Sequence, residues 1–527
     1  MEIIQHGPPL FTVAPGPRLV LAPDVRHVTA HSGRVRPGSL FVAIPGHRTD
    51  GTRYAAEALA RGAVGLVGPR GFRAPIPRWV ETSNPRLLYG HLAAAVAPAV
   101  QDRLTVAAVT GTNGKTTVVE WAAHLLRAAG IPAATVGTLT DPARTGGLTT
   151  PAAEDLHALL ADQAAAGTRV VLVEASSHAL AQHRLAGTRI AWALVTTLGR
   201  DHLDYHRGLA AYWSAKRRLV KTPCDPWFVR PETGVLLPGA PHLPETPDAG
   251  LADRAVWDTF ARHAAVPVLR YGGPDGYAAV RARGTRRRGL VAQVTLGPHR
   301  ATMPLPLGDD TLVPCLEAAL ALARALGADE RALLAALPSL PPVPGRQEWY
   351  RLPGGPYLLV DYAHNPEALE HVLRAVRRTL PGARVTAVFG GRGRRDRGKL
   401  AAMGHVAARW AHDLVATADS PYDEDPAELA DAILAGTHAA GLSGRYVPER
   451  FTAILAAAWA AGPGDVVVVT GRGHETVQWG RDGPRVIGSD GEWIRRVLGA
   501  ERVRFPGEAR SPAPSATVRS SGGRRRR

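Results

Sequence analysis

Lysine, asparagine and cysteine are scarce in this chain of 527 residues. Its 63 Lys and Arg residues include only four lysines, at 115, 216, 221 and 399, and only three asparagines occur, at 84, 113 and 365. The two cysteines, Cys224 and Cys315, are too few for a disulfide framework, and their spacing matches no zinc or redox motif. We therefore expect a protein of the reducing cytoplasm.

Signals for membranes are also missing. No apolar run approaches the roughly 20 residues that a membrane-spanning helix needs. The first ten residues, MEIIQHGPPL, lack a charged segment followed by an apolar core. Neither export nor membrane insertion is expected.

The net charge of +17 raises the question of nucleic-acid binding. The excess is spread along an arginine-biased chain, with local clusters only at 281 to 288 and in the terminal SSGGRRRR. No basic module interleaved with aromatic residues and no zinc-finger spacing accompanies it. We expect no nucleic-acid partner, because anionic small substrates account for positive charge equally well.

The most informative stretch is LTVAAVTGTNGKTT, residues 104 to 117. Its apolar β-branched run predicts a strand, and the following glycine-punctuated turn predicts a phosphate-binding loop that opens a helix. In such a loop backbone N–H groups point at phosphate oxygens, Lys115 supplies positive charge and the Thr116 hydroxyl can bind Mg²⁺. Val109 stands where the strict pattern G-x-x-x-x-G-K-[ST] has glycine. Lysine and asparagine occur here despite their scarcity, which indicates that these side chains matter.

The chain is predicted to be α/β throughout, in three domains. Its first domain places strands SLFVAI and AVGLV on either side of a helix. From Leu104, continuous apolar strands alternate with helices, which predicts a parallel sheet covered on both faces. A Pro-rich hinge, LPSLPPVPGR, precedes a third, Rossmann-like domain, and residues 222 to 300 show no clear pattern. The predicted boundaries are 1–103, 104–340, 341–503 and a disordered basic tail at 504–527.

Polar clusters follow three predicted strands of the central domain: GTNGKTT, Glu174 to His178, and Arg200 to His206. Functional loops gather at the carboxyl ends of parallel strands, so we expect these clusters to converge. Glu174 is placed to bind one Mg²⁺ with Thr116, and His202 to bind a second. A lone Glu or His is more often structural, but two beside a phosphate loop favour an ATP site with metal ions.

The motifs of this chain and their order resemble those of the Mur ligase family. The resemblance is specifically to the MurE type, which adds the third residue of the peptidoglycan stem peptide. The motifs are TGTNGKTT (110–117), TTP (149–151), EASSHALAQHR (174–184), RDHLDYH (200–206), YWSAK (212–216), GR (345–346), DYAHNPEAL (361–369), RRDRGK (394–399) and GRGHE (471–475).

The resemblance implies an ATP site and two Mg²⁺ ions. ATP would be bound by Gly111, Thr112, Asn113, Gly114, Lys115, Thr116 and Thr117. Mg²⁺ would be held by Thr116, Glu174, His202 and Lys216, with Lys216 carboxylated to a carbamate because an ammonium repels the metal. Lys115, Glu174, His202 and Lys216 are thus the expected catalytic residues.

The same resemblance implies a UDP-MurNAc-L-Ala-D-Glu site. Its residues would be Ser32, His47, Arg48, Thr49, Thr149, Thr150, Ser176, Gln182 and Arg184. The chain departs from the family at His31-Ser32-Gly33, where Asp-Ser-Arg is usual, and at Leu148 and Thr197, where Asn is usual. We expect these changes to alter the uridine contacts and the local hydrogen bonding.

The free amino acid would be held by Arg395, Asp419, Tyr422, Gly471 and Glu475. Diaminopimelate users of the family carry Asp-Asn-Pro-Arg where this chain has Asp419-Ser-Pro-Tyr422. That arginine would grip a distal carboxylate, which Tyr422 cannot do. L-lysine or L-ornithine is therefore favoured over meso-diaminopimelate. The acids at 423 to 425 either favour a distal ammonium or merely begin the next helix.

The expected reaction is amide-bond formation through an acyl phosphate, by a monomer with no covalent enzyme nucleophile. Two other functions stay open. One is a different ligase of the superfamily, such as a folylpolyglutamate synthase or the ligase half of a cyanophycin synthetase. The other is a non-catalytic P-loop regulator that binds nucleotide without turnover.

Overall fold

The computed structural model describes residues 1–15, 18–46, 49–220, 231–239, 254–264, 266–273, 276–286 and 289–506. His47, Arg48 and the predicted tail beyond residue 506 lie outside these residues. Within them, no helix combines the length and apolar character needed to cross a bilayer. The predicted fold class is confirmed, since three α/β domains follow one another along the chain.

One of the rare asparagines caps a helix of the first domain. The elements of this domain are β1 (Ile3–His6), β2 (Phe11–Ala14), β3 (Arg18–Leu21), β4 (His27–Thr29), β5 (Ser39–Val42), α1 (Ala55–Ala60), β6 (Ala63–Pro69), β7 (Trp79–Thr82), α2 (Pro85–Ala95) and α3 (Val100–Arg103). Strands β4 to β7 are parallel, and β1 pairs antiparallel with β7. Asn84 caps α2 by accepting from Leu87 N at 3.1 Å.

The central domain is built on a parallel sheet, as predicted. In spatial order its strands are Val268–Tyr271, Pro231–Pro238, Ile190–Val195, Thr105–Thr110, Val170–Glu174 and Ala133–Val136. Alternate residues of the strand at 105–110 are buried in two apolar cores on opposite faces of the sheet. Ala107 and Val109 lie in one core, and Val106 and Ala108 lie in the other. This two-sided burial explains the continuous apolar run. The elements are β8 (Thr105–Thr110), α4 (Lys115–Ala128), β9 (Ala133–Val136), α5 (Pro142–Thr145), α6 (Ala153–Ala165), β10 (Val170–Glu174), α7 (Ser177–Ala181), β11 (Ile190–Val195), α8 (Leu203–His206), α9 (Leu209–Arg217), β12 (Pro231–Pro238), α10 (Arg254–Arg262) and β13 (Val268–Tyr271).

An antiparallel sheet follows, in a region for which the sequence pattern made no prediction. Its strands are β14 (Ala278–Arg286), β15 (Gly289–Leu296) and β16 (His299–Leu305), and helices α11 (Val313–Ala325) and α12 (Glu330–Ala336) come next. Leu290, Ala292, Val294 and Leu296 of β15 are buried in the same core as α11. This period of two was present in GLVAQVTL, but the arginine-rich flank obscured it.

The third domain is a mostly parallel sheet, as predicted. Its elements are β17 (Glu348–Arg351), β18 (Tyr357–Val360), α13 (Pro366–Thr379), β19 (Val385–Phe389), α14 (Gly398–Trp410), β20 (Asp413–Ala416), α15 (Pro426–Ala439), β21 (Gly444–Tyr446), α16 (Arg450–Ala460), β22 (Val466–Val469), β23 (Val477–Gly480), β24 (Gly483–Val486), α17 (Asp490–Val497) and β25 (Glu501–Val503). The sheet order is β21-β20-β19-β22-β18-β17-β25, with β17 antiparallel to both neighbours. Phe505, placed in the tail by the predicted boundary, is buried at 5% exposure.

A buried ion pair joins α16 to α17 in this domain. Arg450 donates Nε and Nη2 to the two carboxylate oxygens of Asp490, each at 2.7 Å, and both side chains are at most 1% exposed. We expect Asp490→Ala to destabilise the third domain by about 3–5 kcal/mol, because it leaves a buried guanidinium unpaired. Urea unfolding followed by tryptophan fluorescence measures this.

Glu428→Ala is the matched control for the Asp490→Ala substitution. It removes one of the two carboxylate partners of Arg397, in a pair whose side chains are 54% and 63% exposed. Such exposed pairs contribute less than about 1 kcal/mol. Equal losses in the two variants would contradict the importance assigned to the buried pair.

Candidate active site

The predicted phosphate loop lies between β8 and α4, and the structure confirms the strand, loop and helix. Gly111 and Gly114 have φ values of 151° and 85°. A Cβ on Gly111 would lie 1.8 Å from Thr196 Oγ1, so only glycine fits there. Lys115 begins α4, and its Nζ donates to the carbonyls of Gly111 at 2.8 Å and Thr112 at 3.0 Å. A phosphate at this place would meet a helix N-terminus and a lysine.

Oxygen atoms suited to Mg²⁺ meet behind this loop. Glu174, at the end of β10, is 1% exposed and accepts from Thr116 Oγ1 at 3.0 Å. The same carboxylate accepts from the backbone N–H of Thr138 at 2.8 Å. The predicted neighbourhood of Thr116 and Glu174 is therefore confirmed, and both offer the hard ligands that Mg²⁺ prefers.

His202 and Lys216 lie buried, and burial favours the neutral form of both side chains. His202 Nδ1 is buried without a hydrogen-bond partner among the described residues. Burial holds the pKa of His202 well below its usual value, so the imidazole is neutral. Lys216, on α9, is 1% exposed, and its Nζ donates to Gly111 O at 2.6 Å. Burial, with repulsion from Lys115, holds the pKa of Lys216 well below its usual value. An amine whose pKa is lowered and an imidazole Nδ1 atom without a hydrogen-bond partner in the described part of the chain fit the expected carbamate and Mg²⁺.

The third domain touches the phosphate loop directly. Asn365 Nδ2 donates to Asn113 Oδ1 at 3.1 Å, and Arg346 Nη2 donates to Thr116 Oγ1 at 3.2 Å. Asn365 also caps α13 by accepting from Ala368 N at 2.9 Å. Two of the three asparagines thus bond to each other across the domains.

Asp201 is a second junction between the central and third domains. Its carboxylate lies 3.3 Å from Lys399 Nζ and 3.2 Å from His364 Nε2. Burial alone would raise the pKa of Asp201, but attraction to Lys399 helps to hold it well below its usual value. No site role was predicted for His364, Asn365 or Lys399. The scarcity of lysine and asparagine in the sequence is a signal that could have found Lys399 and Asn365.

A hydrogen-bonded network joins four residues predicted to contact the dipeptide. Thr150 Oγ1 donates to Glu174 O at 2.6 Å and accepts from the backbone N–H of Ser176 at 3.0 Å. Arg184 Nη1 donates to Thr150 O at 2.7 Å, and its Nη2 donates to Gln182 Oε1 at 2.8 Å. Burial lowers the pKa of Arg184 to about 10, so the guanidinium stays charged at neutral pH. Thr149 lies beside Thr150 and is half-buried.

The first domain brings Ser32 to the start of a short turn and leaves Thr49 exposed. Next to Ser32, the His31 Nδ1 atom accepts from Gly33 N at 3.1 Å, a capping bond that an aspartate side chain would also make. Arg34, in the same turn, donates to Asp155 Oδ1 of α6 at 2.8 Å and so ties this domain to the central one.

Three of the five residues predicted for the amino acid, Asp419, Gly471 and Glu475, lie together beside an arginine that sequence reasoning missed. Arg392 donates to Asp419 Oδ1 at 3.3 Å and to Glu475 Oε2. Tyr362 donates to the other Glu475 oxygen at 2.9 Å. A Cβ on Gly471 would lie 2.9 Å from Asp419 Oδ2, so this approach requires glycine. Arg392 lies in a run rich in arginine and glycine, and nothing in the sequence distinguishes it from the neighbouring arginines.

The remaining predicted residues of this pocket differ in position. Tyr422 has a φ of 57°, and its ring stacks on Trp479 with centroids 5.9 Å apart. Arg395 faces the central domain instead, with Nη1 3.9 Å from Asp204 Oδ2.

The three acidic residues after Tyr422 all form ion pairs or hydrogen bonds within the protein. Asp423 pairs with Arg394 at 2.6 Å, and Glu424 pairs with Arg397 at 2.6 Å. Asp425 caps α15 by accepting from Ala427 N at 2.8 Å. The interpretation that these acids begin the next helix is therefore confirmed for Asp425.

Models of one family match all three domains. They are described as "Mur ligase family, catalytic domain" at 24–103, "Mur ligase middle domain" at 109–227 and "Mur ligase, glutamate ligase domain" at 345–473. The UDP-N-acetylmuramoyl-L-alanyl-D-glutamate--2,6-diaminopimelate ligase of Alkalilimnicola ehrlichii is 37% identical over 89% of this chain and 93% of its own. The ligase of the same name from Thermosynechococcus vestitus is 35% identical over 92% of this chain and 91% of its own. A solved structure of a ligase with that name has a TM-score of 0.59 and 28% identity, and covers 90% of this chain and 94% of its own.

The family models and the relatives identify the chain as an ATP-dependent ligase that joins an acid to an amino acid. The chain belongs to the Mur ligase family, and its relatives are of the MurE type. The ligand roles of the individual residues stay predictions.

Proposed function

We propose that this enzyme joins a diamino acid to UDP-MurNAc-L-Ala-D-Glu at the expense of ATP, in cytoplasmic peptidoglycan precursor synthesis. One observation carries the proposal. Glu174 accepts from Thr116 of the phosphate loop through its carboxylate and from Thr150 of the predicted dipeptide site through its carbonyl. Glu174 thus connects the predicted ATP site to the predicted dipeptide site. A reaction between the two substrates requires such sites to be adjacent. The relatives are named for this reaction.

The first step would be phosphoryl transfer. The terminal D-Glu carboxylate attacks the γ-phosphorus of ATP in line, the bond to the bridging oxygen breaks, and an acyl phosphate and ADP result. Lys115 and the N-terminus of α4 are placed to offset charge on the phosphates. Positioning and charge stabilisation therefore supply the catalysis, and no enzyme nucleophile is needed.

Thr116, Glu174, His202 and a carbamylated Lys216 would hold Mg²⁺, in our proposal two ions. Bound Mg²⁺ supplies positive charge that offsets the phosphate oxygens. The neutral Lys216 amine can add to CO₂, forming an N–C bond and releasing a proton, so that an anionic oxygen ligand replaces a cation. The burial and lowered pKa of Lys216 support this assignment.

The second step would form the amide bond. The amino group of the incoming amino acid attacks the acyl carbonyl, and phosphate leaves. Water would hydrolyse the acyl phosphate, so the site must exclude it. The contacts from Asn365 and Arg346 to the phosphate loop support a closed arrangement of the central and third domains during this step.

For the amino acid we propose L-lysine or L-ornithine. The support is Tyr422, whose ring stacks on Trp479. It stands at the position where the family's diaminopimelate users have an arginine that would bind the second carboxylate. Asp423 and Glu424 add nothing to this choice, because arginines already pair with them. A second candidate is meso-diaminopimelate. It is favoured by the names of the relatives, which are 2,6-diaminopimelate ligases.

The test is phosphate release with UDP-MurNAc-L-Ala-D-Glu, ATP and a panel of amino acids. We expect turnover with L-lysine or L-ornithine to exceed turnover with meso-diaminopimelate. Tyr422→Arg should shift kcat/KM toward meso-diaminopimelate by about 10–100-fold, because a charge-assisted hydrogen bond contributes about 1.5–3 kcal/mol.

Tyr422→Phe is the matched control, since it keeps the ring and adds no cation, and its preference should equal that of the wild type. A wild-type preference for meso-diaminopimelate would select the second candidate. Nucleotide binding without phosphate release, whatever amino acid is supplied, would favour the non-catalytic regulator.

A further inference from the structure

The hairpin of β23 and β24 lies against the loop that carries Asp419 and Tyr422. Gln478 Nε2 donates to Asp419 O at 2.6 Å, and the backbone N–H of Trp479 donates to Ser420 Oγ at 3.2 Å. In return the backbone N–H of Tyr422 donates to Trp479 O at 3.0 Å. Two adjacent residues of the hairpin therefore bond to three residues of the loop.

The conformation of Tyr422 needs this support. Its φ of 57° lies in the left-handed region, which is unfavourable for a residue with a side chain. The ring lies nearly parallel to that of Trp479, with an interplanar angle of 16° and centroids 5.9 Å apart. The guanidinium carbon of Arg394 lies 5.2 Å from the Tyr422 ring. The direction of the Tyr422 side chain is thus set by the hairpin, through one backbone bond and one ring stack.

The hairpin is separate from the packed core of its domain. Strands β23 and β24 form a sheet of their own, outside the large sheet of the third domain. Trp479 is 43% exposed, and Val486 on the second strand is 83% exposed. Changing the Trp479 ring therefore removes a contact at the surface and opens no cavity in the core.

We propose that Trp479 is a positioning residue for amino-acid specificity, which it exerts by fixing Tyr422 as one wall of the amino-acid pocket. Gln478 assists by holding the backbone of Asp419. The inference rests on the proposed function, because it concerns the pocket for the incoming amino acid. It predicts that the hairpin affects the amino acid and neither of the other two substrates.

The test compares KM values for all three substrates in Trp479→Leu and in the wild type. We expect KM for L-lysine or L-ornithine to rise about three- to tenfold, the range that an aromatic pair accounts for. KM for ATP and for UDP-MurNAc-L-Ala-D-Glu should stay within about twofold. Discrimination against meso-diaminopimelate should weaken in parallel, and Trp479→Phe should restore most of both properties. Gln478→Ala should raise the amino-acid KM in the same direction.

Trp459→Leu is the matched control, because Trp459 is 75% exposed on α16 and should affect no KM. A Trp479→Leu variant with an unchanged amino-acid KM would overturn the inference. A rise in all three KM values together with a lower thermal midpoint would also overturn it, since that pattern assigns Trp479 a structural role alone. Calorimetric titration of the wild type and of Trp479→Leu with L-lysine separates a failure of this inference from a failure of the proposed function. Missing turnover in the wild type contradicts the proposed function. Equal Kd values for L-lysine in the wild type and in Trp479→Leu contradict the role of Trp479.

Discussion

Lys115→Met is expected to lower kcat about 10²–10³-fold while the protein keeps its fold. The physical reason is the position of the ammonium group. It is held against the carbonyls of Gly111 and Thr112 at the start of α4, where the charge of a transferring phosphoryl group would develop. Removing one preorganised donor from such a place typically costs this factor. Phosphate release at saturating substrate concentrations measures it.

Two further variants define the role of Lys115. Lys115→Arg keeps the charge but changes its shape, so it should recover only part of the rate. Arg127→Met, at the exposed C-terminal end of the same helix, should retain full activity and serves as the control. Full activity in Lys115→Met with an unchanged thermal midpoint would contradict a phosphate-binding role for the loop lysine.

Lys216→Ala is expected to lower activity about 100-fold or more, and added acetate should restore part of it. The substitution removes the side chain that would carry the carbamate, and the space it leaves can admit a small carboxylate in the same position. Lys216 is suited to carbamylation because it is buried, because burial lowers the pKa of its amine and because Nζ lies 2.6 Å from Gly111 O of the phosphate loop.

Lys216→Arg is the control for this rescue. It retains a long cationic side chain, cannot form a carbamate and leaves little space, so acetate should not restore its activity. A readout independent of activity is ¹³C NMR of protein equilibrated with ¹³C-labelled bicarbonate, in which wild type should show a carbamate signal that both variants lack. Full activity of Lys216→Ala without added carboxylate would rule the carbamate out.

Several parts of the site follow from local sequence alone. The phosphate loop needs only a strand, two glycines and a helix start within one short stretch, so its pattern is legible without the fold. Glu174 and His202 were predictable too, because each follows a buried apolar strand and parallel strands end at the same edge. The scarcity of lysine and asparagine carried further information, since Lys399 and Asn365 lie at the domain junction.

Contacts between residues far apart in the chain could not be predicted in this way. Arg392 resembles its arginine neighbours in sequence, and only folding places its guanidinium between Asp419 and Glu475. The acids at 423 and 424 suggested a site for an ammonium, but the structure pairs both with arginines. Charge in a pocket is a sum over neighbours in space, and composition does not specify that sum.

Hydrophobic period, glycine placement and short motifs were enough to predict the fold class, the conformation of the phosphate loop and the family. Two contacts became visible only in the folded chain: the approach of the third domain to the loop through Asn365 and Arg346, and the support of Tyr422 by the hairpin with Trp479. Both contacts have the same cause. Hydrogen bonds and ring stacks between distant segments depend on distances of a few ångströms that no local pattern encodes.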